Sequence, residues 1–300
     1  MEKRLPRTEL LFSLVFVFTL AVAVAAFFLG MKIGVEQTEA RYAPKLEAAD
    51  RPAVTDYQQQ DLLSYYYTVY QPFRSFAAEW VREASKMKTG QTANPSGRLK
   101  AMADAADERY REARASDMPA NAPLLVDAQT NVLKSLKLFS KTFSRYAGES
   151  GTAQDIIRRI GADELYREAL DYALLAERQY YEAMVLWGAS LDPDFPNRIP
   201  DGSGLPVEIW KSQPLLVKNA VAAGYLREHR MLRDYHPHDL TARVDYFFES
   251  GQANGFKIGT VDEAVDILLR TDAVRSGDFL ERRASYGEGE LLPQLPMFGG

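Results

Sequence analysis

Apolar residues fall into two kinds of pattern along this chain. From Leu10 to Leu29 they are nearly continuous, LLFSLVFVFTLAVAVAAFFL, with only Ser13 and Thr19 as polar interruptions. At about 1.5 Å rise per residue such a run spans roughly 30 Å as a helix, the thickness of a bilayer's hydrocarbon core. Lipid offers the backbone no hydrogen bonds, so residues 10–29 are expected to form a transmembrane helix. Elsewhere, apolar positions recur every three or four residues, the spacing of one helix face.

Residues 30–56, of mixed charge and punctuated by Gly30, Gly34, Pro44 and Pro52, read as a tether. Four helical segments are then expected. Leu62, Tyr66, Val69, Phe73, Trp80, Ala84 and Met87 define the first, over about residues 55–87, with Arg74 on another face. Pro72 lacks a backbone donor and predicts a kink or break near Gln71. The second covers about 96–115, with Ser96 as its cap and Leu99, Met102, Ala103, Ala106 and Tyr110 on one side. Leu125, Val132, Leu136, Phe139, Phe143 and Tyr146 mark the third, ended by Gly148 and Gly151. The fourth, about 152–190, is interrupted near Gly161 and carries Leu165, Ala169, Tyr172, Ala176, Tyr180, Ala183 and Trp187. Short loops place neighbouring helices antiparallel, so residues 57–190 are expected to be an up-down four-helix bundle.

Residues 191–206 hold Pro193, Pro196, Pro200, Gly202, Gly204 and Pro206 and read as a linker. Shorter helical pieces follow over residues 207–286: one at about 215–232, one capped by Asp239, one opened by the capping box Thr260–Glu263, and one near 277–286. Residues 287–300, rich in Gly and Pro, are expected to be a flexible tail. The fold class is therefore all-α: an N-terminal transmembrane helix, an up-down helical bundle and a smaller C-terminal helical region.

Charge sets the expected orientation. Lys3, Arg4 and Arg7 lie in residues 1–9, and a short basic tail of this kind stays in the cytoplasm. Lys32, Arg41 and Lys45 nearly balance them beyond the span, but a long C-terminal domain translocates largely regardless of charge. The domain is therefore expected outside the cytoplasm, attached to the cell membrane. Ala21-Val22-Ala23 and Ala23-Val24-Ala25 have the form of cleavage sites, yet the apolar run continues through Phe27, Phe28 and Leu29, which favours retention as an anchor. The chain has no cysteine, which excludes thiol nucleophiles and thiolate metal sites and suits an exported domain. Residues 33–300 hold 32 Lys/Arg against 39 Asp/Glu with no basic block, so a nucleic-acid partner is not expected.

Two clusters carry candidate chemistry. His229, His236 and His238 fall within ten residues, with Asp234 among them. Imidazole and carboxylate bind zinc and other divalent metals, so these four are candidate ligands; the plainer reading is a solvated turn broken by Pro237. Tyr65, Tyr66, Tyr67 and Tyr70 form an aromatic cluster. Adjacent helical positions point about 100° apart, so at least one of these rings is expected at a groove or surface able to stack on a partner; the plainer reading is the edge of a bundle core. Glu177, Glu182, Asp163 and Glu164 read as solvated surface. The sequence contains no G-x-S-x-G, Walker loop, H-E-x-x-H or G-x-G-x-x-G.

The expected function is a non-enzymatic interaction or structural role in the cell envelope. The partners would be the lipid bilayer, through residues 10–29, and a protein or cell-wall component, with no required cofactor. The alternative is a sensor-like domain binding a small ligand or metal through the His or Tyr cluster. An enzyme acting on envelope polymers is the least favoured reading.

Overall fold

A computed structural model describes residues 57–299 apart from Glu288. The expected tail (1–9), membrane helix (10–29) and tether (30–56) lie outside the described residues. Among those described, no helix is long and apolar enough to cross a membrane.

The described chain is all-helical: no strand is present among its residues, and one isolated antiparallel bridge joins Pro206 to Thr260. Helices α1 (Gln59–Tyr65) and α2 (Gln71–Lys88) are separated by a π-helical turn, Tyr66–Tyr70. The long helices α3 (Pro95–Arg114), α4 (Pro123–Ala147) and α6 (Glu164–Leu191) follow, with the short α5 (Ala153–Ala162) before α6. The C-terminal part comprises α7 (Val207–Lys211), α8 (Leu215–Glu228), α9 (Pro237–Glu249), α10 (Gln252–Phe256), α11 (Val261–Arg270) and α12 (Asp278–Arg282). Helix α4 packs along both α3 and α6, α6 also carries α8, and α8 carries α9.

Local chemistry explains most of these boundaries. Pro72 has no N–H to give the carbonyl four residues back, and the chain absorbs the defect just upstream: Gln71 N–H bonds to Tyr66 O, one residue further than in an α-helix. The expected kink is thus a widened turn. The second long helix is capped by Asn94, whose side chain accepts from Gly97 N–H, with Pro95 in its first turn. Ser96 instead donates to Ala147 O, tying the start of α3 to the end of α4. The break before α6 falls at Asp163, two residues past Gly161, because its carboxylate accepts from Leu165 and Tyr166 N–H and caps the helix. The Thr260–Glu263 capping box opens α11 as the sequence implies, Glu263 accepting from Thr260 N–H at 3.2 Å.

The core of the long helices is aromatic. Trp80 meets Phe143 at 4.3 Å between centroids, Phe139 stacks on Phe143, and Trp80 Nε1 donates to Tyr166 Oη at 3.0 Å. A second apolar cluster lies among α7–α11 and includes Trp210, Tyr225, Leu240, Val244, Val265 and Leu268. The stretch at 287–299, read from its Gly and Pro as a flexible tail, buries Leu295, Met297 and Phe298 in the first cluster. Three large apolar side chains outweigh the local looseness of Gly and Pro, which composition does not register.

Candidate functional site

The chemically capable side chains converge where α2, α6 and the loop entering α9 meet. Arg74, from α2, places Nη1 3.3 Å from Glu177 Oε1 on α6, and both side chains are almost fully buried. Its Nη2 donates to Arg233 O at 3.0 Å and Tyr235 O at 2.6 Å, so one guanidinium joins two helices and holds the loop. Tyr70, from the π-turn, lies 3.0 Å from Glu177 Oε1 and 3.0 Å from His236 Nδ1. Tyr181, one turn beyond Glu177, lies 2.8 Å from His238 Nδ1. The two imidazoles stack, centroids 4.9 Å apart and planes 11° from parallel. Phe279 and Phe298 flank His238.

Asp239 anchors this cluster from below. It stands at the third position of α9 and not at the cap: its carboxylate accepts from His236 N–H at 2.9 Å, and from Gly277 and Phe279 N–H at 3.1 Å each. The dipeptide His236-Pro237 therefore starts the helix, with Pro in the first turn where its missing donor costs nothing.

Burial governs the protonation of the whole group. It pushes the Glu177 carboxyl above the usual range, opposed by Arg74 and by the Tyr70 hydroxyl. Burial also works against the Arg74 charge, but Glu177, with Tyr70 and Tyr181, outweighs it and holds the guanidinium protonated. His238 is pushed down to about 3, first by burial and then by Arg74. His236 is held well below its ordinary value by burial, Arg74 and His238. Both imidazoles are thus neutral around pH 7. Tyr70 has a single proton for two acceptors, and donation to the carboxylate is the stronger bond. The His236 side chain also accepts from the Asp239 backbone N–H at the start of α9, and its Nδ1 shares the Tyr70 hydroxyl with Glu177.

A hollow of about 190 Å³ opens at the edge of this network, lined by Tyr66, Tyr70, Gln71, Arg74, Ser75, Ala78 and His236. It draws on both sequence clusters, the tyrosines and the histidines. A second hollow, of about 250 Å³, lies between α6 and α8 beside Arg178, Asp201, Tyr225 and Glu228; Arg178 is bonded there to Glu182. No family model, no curated protein and no solved structure matches this chain.

The sequence-derived candidates separate as follows. His229 sits at the C-terminal end of α8, its Nε2 3.4 Å from Asp266, and Asp234 is exposed. His236 and His238 each spend Nδ1 on a tyrosine. The four candidate metal ligands therefore do not converge, and no group of three or more His, Cys, Asp or Glu is placed to hold a metal among the described residues. Of the tyrosines, Tyr65, Tyr66 and Tyr70 are buried and Tyr67 is 55% exposed. Tyr65 packs on Tyr180 at 4.7 Å with its hydroxyl unpartnered. Glu177, read as solvated surface, is buried at the centre of the site. A signal for it exists: Leu170, Leu174, Tyr181 and Val185 make a second apolar stripe on α6, and Glu177 falls within it. Arg74 is similarly placed between Tyr70 and Ala77.

Proposed function

We propose that this chain is a single-pass, membrane-anchored protein whose domain lies outside the cytoplasm and acts by contact with another envelope component, not by catalysis. The apolar run at Leu10–Leu29 supports the anchor and the basic residues before it support the orientation. An up-down bundle of the long helices, extended by the smaller C-terminal region, is the scaffold this reading assumes. One observation carries it: the groups best suited to chemistry, Glu177, His236 and His238, are committed to one another and to Arg74, Tyr70 and Tyr181 inside the fold. Such a network fixes a unique arrangement of helices, which is what a recognition surface needs.

A second reading, a domain that senses a small ligand, is favoured by the hollow in which the Tyr and His clusters meet. The test of the leading reading is photo-crosslinking from exposed position 67 in intact membranes, paired with a C-terminal reporter active only outside the cytoplasm. A silent reporter, or no specific adduct above that of a buried-position control, would overturn it.

A further inference from the structure

The hollow beside the Arg74–Glu177 pair is polar but carries no surplus charge. Arg74 Nη1 and Nη2 already face Glu177 and two backbone carbonyls, and its unpartnered Nε is buried away from the open space, so an anion would find the charge compensated; a cation would meet that same guanidinium, and no carboxylate lines the space. Apart from that buried Nε, what remains unspent is neutral. The side chains of Tyr66, Gln71 and Ser75 make no hydrogen bond to another described residue. His236 Nε2, the ring nitrogen not bonded to Tyr70, adds one more polar atom. Phenol, amide, hydroxyl and imidazole together offer donors and acceptors at close spacing. Next to Tyr66, outside the lining of the hollow, Tyr67 stands open to solvent, the two rings forming a T-shaped pair at 5.2 Å between centroids.

Charge balance, mixed donors and acceptors and a free aromatic face describe one class of ligand: a neutral ring bearing hydroxyls on its rim and C–H groups on its face. At about 190 Å³ the hollow is smaller than the roughly 300–1,000 Å³ of a typical ligand pocket, so it admits one ring and no more. We propose that it is a subsite for a single neutral hexose residue, stacked against Tyr67 and hydrogen-bonded by Gln71, Ser75 and His236. This rests on the reading that the domain acts by contact, and names the contacted component as a glycan.

Saturation-transfer NMR on the full chain tests it with glucose and N-acetylglucosamine, their charged counterparts glucuronate and glucosamine, and a neutral tetrasaccharide of N-acetylglucosamine. Saturable transfer is expected from the neutral sugars, with affinity about tenfold lower in Tyr67→Ala, the loss of one stacking ring. A similar loss is expected in Gln71→Ala. Both positions are exposed, and an unchanged melting temperature in each variant shows the fold intact. Tighter binding of the tetrasaccharide than of the monosaccharide identifies a glycan chain as the source, and equal binding identifies a free sugar. Absence of saturable transfer from every neutral sugar, equal binding of the charged ones, or binding indifferent to both substitutions would each overturn the proposal. None of these failures touches the contact reading, which requires an envelope partner and an adduct in membranes but no neutral sugar as the contacted chemistry.

Discussion

Arg74–Glu177 and Lys218–Asp245 are both ion pairs withdrawn from solvent and ringed by aromatic donors, but they join different things. Asp245 accepts from Trp210 Nε1 at 2.7 Å, from Lys218 at 3.1 Å and from Tyr286 Oη at 3.0 Å, so it staples α7, α8, α9 and the segment after α12, all within the C-terminal part and at most 41 positions away. Glu177 instead reaches Tyr70, 107 positions away, and through Arg74 the loop that enters α9. Arg74 also retains an Nε with no partner. A local staple is closed; the long-range joint borders a hollow. A polar group left incompletely satisfied where distant segments meet is where a fold departs from pure stability, which is why the candidate site lies at Arg74–Glu177 and not at Lys218–Asp245.

The comparison breaks most sharply at Glu177. Glu177→Ala strands the Arg74 charge in the core and is expected to cost about 3–5 kcal/mol in chemical denaturation. Arg74→Met combined with Glu177→Leu is expected to lose far less than the two single substitutions together, since removing both charges lifts the desolvation cost. Equal and additive losses would mean that the two side chains do not meet.

Acid should act on one cluster more than the other. His238 is neutral in the fold with its pKa pushed down to about 3, whereas in the unfolded chain it titrates near 6.5. Below about pH 6.5 the unfolded state therefore binds the extra proton, and stability falls by up to about 1.4 kcal/mol per pH unit until pH approaches 3. His236, also depressed, adds a loss of the same sign. The raised carboxyl of Glu177 opposes them where the fold holds a proton that the unfolded chain has released. Denaturant melts between pH 7 and pH 5 should show this decline, and His238→Gln should flatten it.

A smaller and more local effect is expected at the staple. Asp245→Ala leaves Lys218 partly able to reach water, so a loss of about 1–3 kcal/mol is expected. Hydrogen exchange should quicken in α7–α9 and leave α3 and α4 protected. Quickening throughout would show that the two pairs belong to one cooperative unit.

Helix spacing made the long helices legible: the stripe through Leu125–Tyr146 becomes a buried face, and so does that of α6 at Ala169, Ala176, Tyr180, Ala183 and Trp187, while Leu165 and Tyr172 are half-buried. Pro72 announced a defect but not its form, because a missing donor is answered equally by a kink, a break or a widened turn. The site was half legible. Its tyrosines and histidines were noticed as two local clusters, yet nothing local says that residues 107 or 166 positions apart will share a hydrogen bond. Arg74 and Glu177 were misplaced because a charge on a helix is read as solvated unless its i±3 and i±4 neighbours are checked for a second apolar stripe. The C-terminal stretch was misjudged on composition, where three apolar side chains decide its fate.

Tyr70, Tyr181, His236 and His238 form one neutral, buried network. With three histidines in the chain, a ¹⁵N spectrum of selectively labelled imidazole is simple to assign by single substitution. Both His236 and His238 are expected to stay neutral from pH 7 to pH 5. Ordinary titration of both rings near pH 6.5 would show instead that they are open to water.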